Sequence, residues 1–117
     1  MRALAAIMLG LLLIGGPAKA QAEAWLEQLD IPLAAGLTED ETAGTVFETA
    51  TGRVVVVEAR GAVAATAVQR YYGRVLPELG WRASGANRFL RDGEALTLAV
   101  ARADDLTLVI FRLSPEG

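Results

Sequence analysis

The clearest pattern of apolar and polar positions lies in the middle of the chain. Apolar side chains recur there at the spacing of one face of an α-helix, at Val68, Tyr71, Tyr72, Val75, Leu76 and Leu79. Polar residues and glycine occupy the opposite side, at Gln69, Arg70, Gly73, Arg74 and Glu78. The pattern predicts an amphipathic helix of about 16 residues that packs on an apolar surface.

The sequence LPELGW, residues 76 to 81, predicts how this helix ends. Glycine tolerates the left-handed conformation that is common just past a helix, so Gly80 is expected there. A Schellman ending then brings Trp81 into contact with Leu76. We therefore predict a structural helix-end motif of Tyr71, Leu76, Gly80 and Trp81. Pro77 has no N–H, which predicts a kink or a tightened last turn.

Residues 44 to 60, GTVFETATGRVVVVEAR, predict a β-hairpin before the helix. β-Branched residues dominate, and Thr51-Gly52 supplies the turn. The expected register pairs Phe47 with Val56. The four valines from 54 to 57 are apolar on both faces, which is typical of a central or doubly covered strand.

Two turn signals follow the helix. Asp92-Gly93 predicts a tight hairpin with Phe89 opposite Leu96, and ARADDL, residues 101 to 106, predicts a looser turn with Leu96 opposite Phe111. Together these registers gather one apolar face, made of Phe89, Leu96, Leu98, Val100, Val109, Phe111 and Leu113.

The predicted order of elements is β-β-α-β-β-β. It indicates an α+β fold, a two-layer sandwich in which an antiparallel sheet carries one long helix on one face. A short N-terminal helix is expected at residues 22 to 30, where Trp25, Leu26 and Leu29 have helical spacing. Residues 31 to 44 contain Pro, Gly and an acidic group, and are expected to form an irregular surface connection.

The first twenty residues predict a secretory signal peptide. Arg2 precedes an apolar run from Ala3 to Ile14, and Ala18-Lys19-Ala20 provides a cleavage site. Cleavage is expected after Ala20, with Ala22 as the alternative. The apolar run is shorter than the roughly 18 residues that span a membrane, so no stable anchor is expected after cleavage. The predicted organisation is a signal peptide at 1–20, a short helix and connection at 21–43, and an α+β domain at 44–117.

Composition narrows the classes of function. The chain has no cysteine and no histidine, so disulfides, a thiol nucleophile and the usual general base are missing. Loss of Arg2 and Lys19 from 11 basic residues leaves nine against 14 acidic ones, a net charge of −5, which argues against nucleic-acid binding. The carboxylates at 39–41 and 104–105 fall in predicted loops, where solvated acids are normal. We therefore predict no catalytic residue, no metal site and no cofactor.

The predicted sheet has a second face that the helix does not cover. Its apolar residues form the candidate interaction face: Val55, Val57, Leu106, Leu108 and Ile110. The N-terminal helix, a second copy of the chain or a different protein partner are the three candidates to cover it. A separate hypothesis places a ligand between helix and sheet, at a pocket margin formed by Tyr72, Trp81 and Phe89.

The sequences RYYGRVLPELGW and FLRDGEALTLAV resemble a group of small exported proteobacterial proteins, mostly uncharacterised, which share an aromatic-Tyr, Leu-Pro, Leu-Gly-Trp pattern followed by a hairpin. The resemblance covers about residues 45 to 113, and Tyr71 stands where Phe is commoner in the group. It implies the fold and a periplasmic location, but no activity and no catalytic residue.

The functional expectation is a non-enzymatic accessory or protein-interaction domain, periplasmic or secreted, which binds a partner or itself through the sheet. The alternative is a carrier or sensor of a small apolar ligand held between helix and sheet. A chain of this size leaves little room for a pocket of about 300 Å³ or more.

Overall fold

The computed structural model describes residues 25–116, and the predicted signal peptide lies outside these residues. The described elements, in chain order, are α1 (Trp25–Gln28), β1 (Thr38–Thr49), β2 (Gly52–Gly61), α2 (Ala65–Glu78), β3 (Arg82–Ala83), β4 (Arg88–Arg91), β5 (Glu94–Ala103) and β6 (Leu106–Pro115). The fold is α+β, and its strands form one antiparallel sheet, as the sequence predicts.

The strand order in the sheet is β1-β2-β6-β5-β4-β3, which makes six strands within residues 25–116. The sequence predicted five, because a two-residue strand such as β3 leaves no pattern. The sequence also placed Glu39 to Glu41 in an irregular connection, which is wrong. Thr38 to Asp40 pair with Arg60 to Glu58 of β2, so the ladder continues through these polar residues and β1 starts earlier.

Helix α2 packs on the sheet face that carries the core. Its buried residues Val68, Tyr72 and Leu76 lie one helical turn apart. They pack with side chains from both halves of the sheet, in one cluster that includes Val55, Val57, Ala59, Leu96, Leu98, Val109, Phe111 and Leu113. The helix is therefore held by apolar burial, which is the largest favourable contribution to folding.

The end of α2 has the two hydrogen bonds of a Schellman motif. The Trp81 N–H donates to the Leu76 carbonyl at 3.0 Å, and the Gly80 N–H donates to the Pro77 carbonyl at 3.1 Å. Gly80 has a φ of 96°, which only glycine adopts without strain. The Leu79 N–H bonds to Leu76 at 2.9 Å, three residues back, so the last turn is tightened.

Two of the three predicted hairpin registers are wrong by two residues. The β1–β2 loop is Ala50-Thr51, so Phe47 pairs with Val54 and not with Val56. In the β5–β6 hairpin, Leu96 pairs with Leu113 and not with Phe111. A shift of two keeps the same residues of the two paired strands together on one face, so the apolar pattern cannot detect it. The tight hairpin at Asp92-Gly93 has Phe89 opposite Leu96, as predicted.

The assignment of Val55 and Val57 to the second face is wrong. They pair with Leu113 and Phe111 on the helix side, and 3% and 0% of their surfaces are exposed. Because four valines follow one another, alternation gave no signal for which pair points inward. The neighbouring strand does place Leu106, Leu108 and Ile110 on the second face, opposite the helix.

Candidate binding groove

A groove of about 950 Å³ lies along one side of α2. The segment that follows α1 forms a second wall, and the start of β1 forms the third. Its apolar lining consists of Leu26, Ile31, Pro32, Leu33, Tyr71, Val75 and Leu79, and its charged rim consists of Glu27, Asp30, Glu39, Glu41 and Arg91. We call this surface the α2 groove.

The helix lines the groove because its apolar stripe is wider than the strip that the sheet covers. Tyr71, Val75 and Leu79 follow one another at four-residue spacing, beside the buried row of α2. Tyr71 and Val75 are half-buried, and Leu79 is 40% exposed. One edge of the amphipathic face therefore stays accessible to a ligand.

The wall after α1 is tied to α2 by one buried hydroxyl. Tyr72 Oη donates a hydrogen bond to the Pro32 carbonyl at 2.8 Å and accepts one from the Ala34 N–H at 3.0 Å. Burial raises the pKa of Tyr72 to about 12, since the charged phenolate is disfavoured there. Ile31 and Ala34 are buried in the same core cluster, so the wall has a fixed position.

A carboxylate of β1 holds the beginning of α1. Glu39 accepts hydrogen bonds from the backbone N–H of Trp25 at 2.8 Å and of Leu26 at 3.3 Å, which satisfies two free donors of the first helical turn. The Trp25 indole lies over Gly44, where an added Cβ would be 2.1 Å from Nε1. Two contacts therefore connect α1 to β1.

A large bulge in β1 shapes the third wall. Between the pairs Asp40–Glu58 and Thr45–Val56, residues 41–44 of β1 face Val57 alone. Asp40 stabilises the bulge by accepting hydrogen bonds from the Thr42 hydroxyl at 2.7 Å and its N–H at 3.1 Å. These bonds, with a smaller contribution from Arg60, lower the pKa of Asp40. The bulge brings Glu41 to the rim of the groove.

The rim carries four carboxylates and one guanidinium. Arg91 lies 4.2 Å above the Trp81 ring, and its Nη1 donates to the Leu79 carbonyl at 2.9 Å, at the negative end of the α2 dipole. The guanidinium is thus engaged with the helix end. The groove as a whole is acidic.

The predicted pocket margin does not border an opening. Tyr72, Trp81 and Phe89 are 1%, 3% and 6% exposed, and all belong to the core cluster. The Tyr72 ring packs edge-on against Phe111 at a centroid distance of 5.4 Å. The helical pattern placed both tyrosines on the apolar stripe, but only the tilt of α2 on the sheet decides that Tyr71 lies at the margin and Tyr72 in the centre.

Sequence reasoning missed the groove wall made by Ile31, Pro32 and Leu33. The sequence did contain a signal for this wall. The segment IPLAAGL, residues 31–37, was assigned to the surface, although it contains one isoleucine, two leucines and two alanines. Such a run indicates a loop that packs on the core. Its contact with α2 depends on tertiary structure.

The second face of the sheet carries two further exposed apolar side chains. Phe47 on β1 is 54% exposed and Leu106 on β6 is 37% exposed, whereas Val54 and Val56 between them are half-buried. β1 is also an edge strand of the sheet. This face remains a second candidate surface.

Comparison with known proteins gives no further guide. The chain matches no known family model, and it has no match among curated proteins or solved structures. In the part of the chain that the structure describes, no helix is long and apolar enough to cross a membrane, and no three acidic side chains are arranged to hold a metal ion.

Proposed function

We propose that this chain is an exported, non-enzymatic accessory domain that binds a protein segment in the α2 groove. The observation that carries the proposal is the exposure of large apolar side chains inside a concave surface. Leu33 and Leu79, on opposite walls, are 39% and 40% exposed. An apolar surface with a polar rim is typical of a site that binds another protein.

The walls of the groove support this proposal because internal contacts hold them in place. The Tyr72 hydroxyl fixes the wall after α1, and Glu39 fixes the wall of β1. A site formed before binding spends less free energy on ordering its own loops. The sheet face with Leu106, Leu108 and Ile110 is a second surface for the same function, through self-association.

Site-specific photo-cross-linking in cells tests the proposal. A photoreactive residue replaces Val75 in the groove, Ile110 on the second face or Gln69 on the solvent side of α2, and mass spectrometry identifies the joined peptide. We expect a single partner segment to be cross-linked to position 75 and no partner to be cross-linked to position 69. A cross-link at position 110 alone would show that the partner binds the second face of the sheet and not the groove.

Matched variants separate groove binding from unfolding. Leu33→Asp with Leu79→Asp should abolish the cross-link at position 75, while Leu106→Asp, a similarly exposed leucine on the other face, should leave it intact. Thermal melts show that each variant folds. Cell fractionation of the same strain tests export, and retention in the cytoplasm contradicts it.

The size of the groove favours a second candidate function. Its volume of about 950 Å³ lies within the range of small-molecule sites, so a carrier of a small apolar ligand fits the same surface. Native mass spectrometry of protein purified from cells separates the two functions. Extra small-molecule mass that disappears in the Leu33→Asp, Leu79→Asp variant indicates a carrier, and bare protein indicates an interaction domain.

A further inference from the structure

We infer that the segment bound in the α2 groove is a basic amphipathic helix of a partner protein. This inference rests on the proposed function and adds the chemistry of the partner. Three properties of the groove carry it: unpaired carboxylates on the rim, the length of the apolar row on α2, and the side-chain surface that α2 presents along that row.

The carboxylates of Glu27, Asp30 and Glu41 are available to a partner. All three residues are exposed, and their side chains make no ion pair or hydrogen bond with another residue between 25 and 116. Glu39 is occupied by the first turn of α1, and Arg91 by the end of α2. The guanidinium of Arg74 lies over the Tyr71 ring, at 5.6 Å from its centroid. Three free carboxylates thus outnumber the two guanidiniums of Arg74 and Arg91, which favours a cationic partner.

The apolar row sets the length of the bound segment. Tyr71 and Leu79 are eight positions apart, or about 12 Å along the helix axis, which corresponds to about two helical turns. A partner helix with apolar residues at positions i, i+3 or i+4, and i+7 presents a ridge of that length. Its basic residues, on both flanks of the ridge, then face the acidic rim.

Helical shape follows from what α2 offers along the groove. The backbone N–H and C=O groups of α2 are bonded within the helix, so this wall presents side chains only. An extended peptide gains affinity chiefly by bonding to a free strand edge, whereas an amphipathic helix gains it from side-chain burial in a groove. The wall of α2 suits the helix.

Synthetic peptides test the inference on the full chain. The probe is a 15-residue peptide with leucines at helical spacing and lysines on both flanks. One control replaces every lysine with glutamate, and a second scrambles the order at the same composition. Titration calorimetry measures affinity, and methyl NMR shifts of Leu33, Val75 and Leu79 locate the site. We expect binding of the lysine peptide alone, with shifts in the groove.

A charge-neutral variant tests the rim. Glu27→Gln, Asp30→Asn and Glu41→Gln together should weaken the lysine peptide about tenfold or more and flatten its salt dependence. Asp30 has a φ of 59°, which asparagine also tolerates. Glu48→Gln, Asp104→Asn and Glu116→Gln make the same charge change away from the groove, with Asp104 at a φ of 57°. This control should bind the peptide unchanged.

The outcomes separate this inference from the proposed function. Equal binding of the lysine and glutamate peptides, or unchanged affinity in the charge-neutral variant, overturns the basic character of the partner. Equal binding of the scrambled peptide overturns its helical form. If cross-linking at position 75 still captures an acidic or extended segment, the interaction function stands and only the inference fails. If position 75 captures nothing, binding of a protein segment in the α2 groove is refuted, and the inference fails with it.

Discussion

The hydroxyl of Tyr72 on α2 donates a hydrogen bond to the carbonyl of Pro32, 40 residues earlier in the chain. The same oxygen accepts a bond from the buried Ala34 N–H, so one side chain satisfies two backbone groups of the groove wall. A segment without regular secondary structure is thereby fixed against the helix. The groove depends on this contact.

Tyr72→Phe should destabilise the protein by about 1 to 3 kcal/mol, because it leaves a buried N–H and a C=O without a partner. Urea unfolding measures the difference. Tyr71→Phe is the matched control. The Tyr71 hydroxyl makes no hydrogen bond with another residue between 25 and 116, so its loss should change stability by less than about 0.5 kcal/mol. Equal effects of the two substitutions would contradict the role of Tyr72.

Alkaline pH should weaken the fold through the same hydroxyl. The pKa of Tyr72 is raised to about 12 in the folded chain, whereas the unfolded value is near 10. Stability is complete below about pH 10, and it falls between about pH 10 and 12, where the unfolded chain alone loses the proton, by about 1.4 kcal/mol per pH unit. Unfolding measured from pH 9 to 12 should show this slope in the wild type and a shallower one in Tyr72→Phe.

Gly44→Ala should displace the Trp25 indole from the β1 bulge. The new methyl would lie 2.1 Å from Nε1, and relief of such a clash costs about 1 to 3 kcal/mol. The indole N–H signal of Trp25 should shift in NMR spectra, while that of Trp81 should not. An unchanged Trp25 signal with unchanged stability contradicts the contact.

Gly73→Ala is the control for glycine replacement as such. Gly73 is exposed within α2, and an added Cβ meets no atom within 4 Å. Alanine has the higher helix propensity, so this variant should be more stable by about 0.8 to 1.0 kcal/mol. The two glycine substitutions should therefore change the stability in opposite directions, and a thermal melt of each variant measures the change.

Thr107→Val should loosen the entry to α2. Thr107 is fully buried, its hydroxyl donates to the Val63 carbonyl, and it accepts a bond from Arg102 Nη1 at 2.8 Å. Valine keeps the shape but leaves the Val63 carbonyl with only the long bond from Arg102 Nη1, at 3.4 Å, and the lost hydrogen bond should cost about 0.5 to 1.5 kcal/mol. Faster hydrogen exchange at the first turn of α2, with the far end of the helix unchanged, is the expected signature. Uniform protection along α2 would argue against this local role.

The helix could be predicted in detail because its signals are local. The glycine after Leu79 marks the helix end, and helical spacing defines one apolar face, made of Val68, Tyr71, Tyr72, Val75, Leu76 and Leu79. The Asp92-Gly93 hairpin is local in the same sense, since two adjacent residues set both the turn and the pairing of Phe89 with Leu96.

The binding groove could not be predicted, because its walls are far apart in the chain. Leu33, Leu79 and Glu41 meet only after the segment following α1 docks on the helix and the β1 bulge forms. Nor could the sequence show whether Val55 or Val56 points inward, because the same type of side chain occupies both positions.

The amino-acid sequence by itself determined the α+β class, the apolar face of α2 and the alternation that builds one core. These follow from short-range periodicity, which each segment carries alone. Tertiary structure decided the strand registers, the orientation of α2 that buries Tyr72 and leaves Tyr71 half-buried, and the acidic groove beside them. A two-residue slip or a small helix rotation keeps the apolar pattern intact, so only the packing of distant side chains selects between them.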